Sequence, residues 1–576
     1  MGRRPRIELN GRVTSATLIS RLRTDLAAAH FSVPGLTGLW GIEADAALRR
    51  NQRVPARRAL AALATTLDRN EPAATLARLF LLGDAVPRAD LDAALPALGA
   101  AGAEQLGLVR AVDGIDRPPA VERAGARGVT APDALLCPLV DLRPYSFIDA
   151  HGAGSWWIVS DLGELALGHP LGETHVLGIG GASRTLSALM MPTPVERALD
   201  IGTGCGIQAM HASRHAECVV ATDISVRALE LAALNAELND IYNIEFRFGS
   251  LFEPVFGERF DHIISNPPFV ITPRAEGVPS YEYRDGGMVG DALVEAVVRG
   301  AADHLTPGGV VQLLGNWEYH DETDAFERLE HWLTPEAGES ATARAALDAW
   351  IIEREVQSPG EYAETWIRDG GTRPGPDFDR LYNAWLNDFE TRGVRRVGFG
   401  YLLLRLPTDA EPRGMPDETL SVASATEPTL RRLERLPDAL GHNPAGLGAH
   451  LAECLAAHDW QAQTDDARLL QTNLTVASDV TEERHYWPGQ QDPTLMTLHQ
   501  GSGFGRSVSL DTALAGLVGA CDGDLAVGAI IGALAQLLDA DEALLSGELL
   551  PRVRELLADG FLTVSPPSTT GSGAGR

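Results

Sequence analysis

The 576-residue sequence contains no lysine; all 48 basic residues are arginine. A GC-rich genome produces that bias, so it assigns no chemistry. Cysteine is scarce. Cys137, Cys205, Cys218, Cys454 and Cys521 lie far apart without a Cys-x-x-Cys pair, which supports neither a disulfide framework nor a zinc site, and no metal is expected. Long apolar runs are missing too: the longest, near Val527 to Leu538, is too short to span a bilayer. No apolar stretch follows the basic Met1-Gly-Arg-Arg-Pro-Arg6, so it does not read as a signal peptide. These absences predict a cytoplasmic protein with no membrane partner. Positive charge is in deficit, 48 bases against 78 acids for a net −30. That balance disfavours non-specific coating of nucleic acid, because phosphate binding is driven by basic surface. A local basic patch is still compatible: residues 1–60 hold eleven arginines and four acids. Such a stretch is either a solvated helical surface or a phosphate-binding face.

What is present is an ordinary globular composition, 45% hydrophobic, in a chain long enough for two to four domains. It is organised around residues 197–269. Arg197 to Ile201 reads as a strand running into a glycine-rich turn, Gly202-Thr-Gly-Cys-Gly206, and a helix from about Ile207. A second apolar run, Cys218-Val-Val-Ala-Thr-Asp-Ile224, carries Asp223 at its end, 21 residues after Gly202. Strand, glycine turn, helix and acid-terminated strand make a nucleotide-binding βαβ unit. Its glycines admit a close ligand and its acid accepts ribose hydroxyls. The spacing is Gly-x-Gly-x-Gly, and Asp200 precedes the first glycine. A carboxylate there repels a pyrophosphate and attracts a ligand carrying ammonium and sulfonium cations.

Together with Asn266-Pro-Pro-Phe269 after the apolar run Phe260–Ser265, these residues resemble the class I S-adenosylmethionine-dependent methyltransferases. The Asn-Pro-Pro-Phe motif resembles the catalytic signature of the amino-methylating branch, which includes ribosomal-RNA base N-methyltransferases and release-factor glutamine methyltransferases. The resemblance covers roughly Leu171 to Leu406. It implies an α/β, Rossmann-like core of seven strands with the last antiparallel. It implies S-adenosylmethionine as cofactor, with Asp200, Gly202, Thr203, Gly204, Gly206, Asp223, Ile224, Ser250 and Asn266 as its binding residues, and Asn266, Pro267, Pro268 and Phe269 as the catalytic set. Ser250 stands where relatives often place an acid against the adenine amine, so a hydroxyl or a backbone group is left to make that contact. The Asn266 side-chain oxygen and the Pro267 carbonyl suit the two hydrogens of an NH2 group, whose nitrogen lone pair must face the methyl and whose developing charge must be stabilised. Consecutive prolines fix that carbonyl, and Phe269 offers a flat face to a planar acceptor. No general base is needed, and His262 reads as structural. Tyr281, Tyr283 and Arg284, in the loop after the motif, are candidates for substrate contact.

The remaining pattern divides the chain. Residues 1–130 read as a helical domain, with apolar faces at Leu60, Leu63, Leu67 and at Leu76, Leu79, Phe80. A short helix opened by Pro87 and a strand at Leu106–Val109 make a winged helix possible. Asp113 to Thr130 is a candidate linker. Residues 131–190 hold a β-hairpin (Leu139–Tyr145 and Ser155–Ser160), followed by His175–Leu186, which is either a loop closing over the methyl donor or a simple turn. The core occupies 191–407, alternating helices (Val226–Leu238, Leu293–Leu305) with apolar strands (Glu245–Gly249, Phe260–Ser265, Val310–Leu314, Ala349–Ile352, Phe399–Leu404), as in a doubly wound sheet. An insertion at 359–393 carries Tyr362, Trp366, Tyr382 and Trp385 at helical spacing and should emerge beside the site; the aromatics serve either packing or a substrate-contacting lid. Residues 408–428 are a linker. Residues 429–564 form an α+β, winged-helix-like domain, with strands at Leu474–Val480 and Thr494–Leu498 and a turn at Cys521–Asp524. Residues 565–576 are a disordered tail.

The leading expectation is methylation of a planar NH2 group, namely an exocyclic amine of a nucleobase in structured RNA, favoured by Phe269 and the arginine-rich N-terminus. The alternative is a glutamine amide in a protein such as a release factor, favoured by the acidic net charge and the peptide-binder-like C-terminal module. A third reading, an inactive scaffold, is opposed by intact Asp200, Asp223 and Asn266.

Overall fold

A computed structural model describes residues 16–66, 71–112, 134–167, 171–279, 281–321, 323–334, 346–408 and 428–565. The chain divides into two compact units. The first runs to residue 428 without the short stretches 149–152 and 188–193; the second is 429–576 together with those stretches.

The first unit is built on seven core strands: β1 (Val195–Ile201), β2 (Ala216–Asp223), β3 (Ile244–Phe248), β4 (Phe260–Ser265), β5 (Leu305–His320), β6 (Asp348–Gln357) and β7 (Val394–Arg405). They lie in the order β6-β7-β5-β4-β1-β2-β3. The β1–β2, β1–β4, β2–β3 and β4–β5 pairs are parallel, and β7 is antiparallel to β5 and β6. The expected sheet, antiparallel last strand included, is therefore present. Leu199, Val219, Val220, Ile263 and Val311 are fully buried. A central strand covered on both faces reads as a continuous apolar run, which made these strands legible. The last three strands extend well past their apolar kernels, with β5 and β7 in register from Val310↔Arg405 to Tyr319↔Arg396.

Strand order reverses between β1 and β4, and ligands of such sheets bind at the strand ends beside that switch point. Ile201 and Ser265 are directly paired there, so the glycine turn and Asn266 leave the sheet side by side. The insertion after β6 forms two helices, Pro359–Asp369 and Pro376–Arg392. The first is opened by a Ser358/Glu361 capping box with Pro359 next in line. The second ends on Gly393 in the left-handed conformation, which turns the chain into β7.

Ahead of the core stand helices Ala16–Ala28, Val33–Arg49 and Val54–Thr66. A further helix, Pro72–Leu76, runs into a π turn, Ala77–Leu81, and is followed by strand Val86–Pro87, helices Arg88–Ala94 and Gly99–Gln105, and strands Val109–Ala111 and Leu135–Pro138. The last strand is the middle one of its sheet. Because Leu135–Pro138 pairs with both Val86–Pro87 and Val109–Ala111, this module does not stop at residue 130, and the strand sought at Leu106–Val109 begins only at Val109. The 113–130 linker, Arg3, Arg4, Arg6, Arg12 and Leu67 lie outside the described residues, as do nearly all of the 408–428 linker and residues 566–576.

The module is fastened to helix Val226–Leu238, the helix that follows β2. Arg23 donates through Nε to the Leu238 carbonyl at 2.8 Å and pairs with Asp240. The hairpin Val140–Asp149/Gly152–Asp161 grips the same helix: Asn235 and Asn239 each accept from and donate to the backbone of Val159 and Trp157 respectively, at 2.7–2.9 Å. The Trp157 indole in turn donates to the Phe31 carbonyl at 2.6 Å. Elsewhere Arg53 donates to the Leu82 carbonyl, Arg57 pairs with Asp84 and Arg49 with Asp45. Four arginines of the basic N-terminal stretch thus serve the fold itself.

In the second unit, helices Gly448–Ala462 and Asp466–Leu470 precede a three-stranded sheet with Asn473–Val476 in the middle, antiparallel to Asp522–Ala526 and Leu562–Val564. Helices Thr512–Gly519, Val527–Leu538 and Glu542–Ala558 pack around it. Cys521–Asp524 is therefore not a simple turn but the start of a strand, whose partner lies about fifty residues upstream. A second sheet, Val480–His485, Leu495–Gln500 and Ser507–Leu510, contains two strands that the sequence pattern did not reveal. No helix among the described residues is long and apolar enough to cross a membrane.

Candidate active site

The glycine turn assigns two different tasks to its three glycines. Gly202, Gly204 and Gly206 have φ of +72°, +55° and +86°, a region other residues enter at a cost. A Cβ built on Gly202 or Gly204 meets nothing within 4 Å, whereas one on Gly206 comes within 2.9 Å of the Ala232 Cβ. The first two leave room for a ligand; the third lets helix Ile207–Ala212 pack on its neighbour and does not line the cavity described below.

Asp200 departs from its expected role. It is wholly buried and does not line the cavity. Its Oδ2 accepts from Thr203 Oγ1 at 2.6 Å and from the Ala209 N–H at 3.0 Å, and Oδ1 has no partner. Burial lifts its pKa to about 7 against those two hydrogen bonds. It staples the turn to the following helix rather than meeting the ligand's cations. Asp223 fits the ligand role better. Its Oδ2 accepts from Gly204 N–H at 2.9 Å and its Oδ1 from Ser225 N–H at 2.8 Å. Burial raises its pKa, opposed by hydrogen bonds from the Ser225, Gly204 and Ile224 backbones.

A cavity of about 380 Å³ opens over these groups. Gly202, Thr203, Gly204, Asp223, Ile224 and Ser250 line it together with Asn266, Pro267, Pro268 and Phe269. Ile224 is 49% exposed, an apolar surface suited to an aromatic ring. Asn266 Oδ1 is buried and accepts nothing. The Phe269 ring packs on Phe399 at 5.6 Å and edge-on to Trp366 at 6.5 Å.

His175 and the glycines up to Gly181 also line the cavity, as a loop over the ligand requires. His175 meets Tyr283 edge-on at 5.8 Å, and burial lowers its pKa against the pull of Asp161. Tyr283 and Arg284 reach the cavity; Tyr281 does not, lying buried beneath the Arg284 guanidinium at 4.6 Å. The insertion aromatics divide between both readings. Tyr362 and Trp385 are core residues, 3% and 1% exposed, and Tyr382 packs beside Phe378. Trp366, with Asp369, lines the cavity. His262 is bracketed by His215 and Gln312 at 3.0 Å each, and burial beside His215 pushes its pKa down to about 3; it is a neutral core residue.

Sequence reasoning missed Gln208, Met288 and Asp369 as lining residues. Gln208 donates to the Ser183 carbonyl at 2.8 Å and accepts from Ser187 at 3.2 Å, fastening the glycine-turn helix to the covering segment. A glutamine on a buried helix face gives no sequence signal for such a bridge.

The strand order, the glycine turn with its acid on β2, and Asn-Pro-Pro-Phe at the end of β4 have the arrangement of a Rossmann-like methyltransferase core. Residues 178–331 match the family described as Methyltransferase small domain. Residues 28–132 and 452–564 match two families described as Domain of unknown function (DUF7059) and Domain of unknown function (DUF7782). The chain is 37% identical over 194 residues to a ribosomal protein uL3 glutamine methyltransferase of Bradyrhizobium diazoefficiens, covering 31% of this chain and 60% of that protein. It is 37% identical over 145 residues to a release factor glutamine methyltransferase of Xylella fastidiosa, covering 24% of this chain and 51% of that one. The chain thus spans 60% and 51% of the length of these curated relatives. Similar solved structures include a ribosomal protein L11 methylase from Lactobacillus delbrueckii subsp. bulgaricus (25% identity, TM-score 0.20, 27% of this chain and 68% of that one). Another is a methyltransferase from Pyrococcus furiosus (20% identity, TM-score 0.23, 39% of this chain and 82% of that one).

The residues present fit the cofactor. Open space stands above Gly202 and Gly204, Asp223 is aimed by the turn itself, and an unpartnered acceptor waits on Asn266.

Proposed function

We propose that this chain is an N-methyltransferase whose acceptor is the side-chain amide of a glutamine in a protein. The observation that carries the reading is the buried, unpartnered Oδ1 of Asn266 in a residue lining the same cavity as the glycine turn and Asp223. When bound, S-adenosylmethionine supplies an electrophilic methyl group on a sulfonium. Gly202, Gly204, Asp223, Ile224 and Ser250 would hold it, with Asp223 free to accept from its ribose hydroxyls. Asn266 Oδ1 and the Pro267 carbonyl accept the two hydrogens of the acceptor NH2, aim its lone pair and stabilise the charge that grows on nitrogen. The nitrogen then sheds one proton.

The nucleobase reading has less support than the amide one. Several of the N-terminal arginines are engaged within the fold, and the Phe269 ring is packed between Phe399 and Trp366. The relatives above are glutamine methyltransferases, which supports an amide as acceptor. The test incubates the protein with labelled cofactor and extracts of cells lacking the gene. Label is expected in protease-sensitive material, recovered after digestion as N5-methylglutamine. Label confined to nuclease-sensitive material refutes the amide reading and restores the nucleobase one.

A further inference from the structure

Two residues lining the cavity each carry a buried polar atom without a partner, and the two atoms are of opposite kind. Asn266 Oδ1 is an acceptor; Arg284 Nε is a donor. Arg284 is only 6% exposed, and it is held in place. Its carbonyl accepts from Val270 N–H at 2.8 Å, directly after the Asn-Pro-Pro-Phe motif. Its Nη1 donates to the Trp366 carbonyl at 2.9 Å, and its guanidinium lies over Tyr281. A guanidinium N–H buried without an acceptor is costly, and native folds seldom keep one without a use. A primary carboxamide presents an acceptor and two donors in one plane, the chemical complement of these two atoms.

We infer that Arg284 is a specificity-determining residue: its Nε–H donates to the carbonyl oxygen of the acceptor amide while Asn266 takes an N–H of the same group. This rests on the glutamine reading above and deepens it. Oxygen is the more basic atom of an amide, so a site that methylates nitrogen must keep the oxygen away from the methyl group. A fixed donor on the oxygen does so, and it also makes the N–H that must finally be lost more acidic. The C–N bond is not broken; a new N–CH3 bond forms as the S–CH3 bond breaks to leave S-adenosylhomocysteine, and one N–H proton passes to water. The insertion takes part by holding the guanidinium from the end of its first helix.

Two probes separate the roles: acetyl-alanyl-glutaminyl-alanine methylamide, and its methyl-ketone isostere in which CH3 replaces the side-chain NH2. Both are titrated into protein saturated with S-adenosylhomocysteine and followed by NMR. The wild type is expected to bind both. Arg284→Met should weaken both by about tenfold or more, whereas Asn266→Ala should weaken the amide and spare the ketone. Arg284→Lys keeps a cation for Tyr281 and a donor for Trp366, so it should restore the melting temperature without restoring ketone binding. Wild-type ketone affinity in Arg284→Lys, or an equal loss of cofactor affinity in Arg284→Met, overturns the inference and makes Arg284 a helix cap. If the wild type binds neither probe, the glutamine reading itself falls and takes this one with it.

Discussion

The Gly204 N–H donates to Asp223 Oδ2 at 2.9 Å, so the acid at the end of β2 is aimed by the glycine turn that ends β1. With Ser225 N–H on Oδ1, both carboxylate oxygens are held from the backbone before any ligand arrives. Their remaining lone pairs are left for hydroxyl donors.

Asp223→Ala should therefore weaken binding of S-adenosylmethionine and S-adenosylhomocysteine alike, by roughly 1–3 kcal/mol, the scale of a lost charge-assisted hydrogen bond. Calorimetry with purified protein measures it. Unchanged affinity, or tight binding of NAD by the wild type, contradicts the assignment.

Asn266→Ala should lower turnover by about 10²–10³ while leaving the cofactor dissociation constant nearly intact, because Asn266 Oδ1 addresses the acceptor. Single-turnover rates beside cofactor titrations separate the two effects. A parallel loss of both would make Asn266 a structural residue.

Asp200 gives stability a pH dependence. Its pKa is raised from 3.8 to about 7 by burial, so the folded state holds the proton more tightly than the unfolded chain does. The contribution is full below the unfolded pKa and is lost as pH rises through the folded one. Asp200→Asn removes that loss. Its stability relative to wild type should climb between about pH 4 and pH 7 and then level off, as read from urea unfolding across that range. A constant difference would mean that Asp200 does not titrate as its burial demands.

The two insertion tryptophans should behave differently. Trp385, 1% exposed, is a core residue, and Trp385→Ala should cost about 3–5 kcal/mol of stability. Trp366 lines the cavity, so Trp366→Ala should raise the KM for the acceptor and leave cofactor affinity alone. Melting curves and steady-state kinetics on both variants check the contrast.

The core sheet was legible because strands such as β1, β2 and β4 are buried on both faces and read as uninterrupted apolar runs. The glycine turn and Asn266-Pro-Pro-Phe269 were legible because their backbone demands restrict residue type. Asp200 was misread since an acid before such a turn can point toward the ligand or toward the next helix. Only the Ala209 N–H, nine residues on, decides between them. Trp366 and Trp385 both sit at helical spacing in sequence and separate only when their two helices are in place, with Trp366 against Phe269. The boundary near residue 130 failed for a related reason. Leu135–Pro138 looks like the start of something new until its pairing with Val86–Pro87, about fifty residues earlier, is seen.

The grip of Arg23 and of the hairpin, through Asn235 and Asn239, on helix Val226–Leu238 has a bearing on how this molecule can be cut. Leu22, Leu26 and Phe31 share one hydrophobic cluster with Ile207, Met210, Leu231 and Leu238. The methyltransferase match begins only at residue 178, so its edge runs through a continuous interior. A stand-alone fragment cut there would expose an oily flank and lose the clasp on the helix that follows β2. A fragment meant to keep this interior closed must therefore include the N-terminal module.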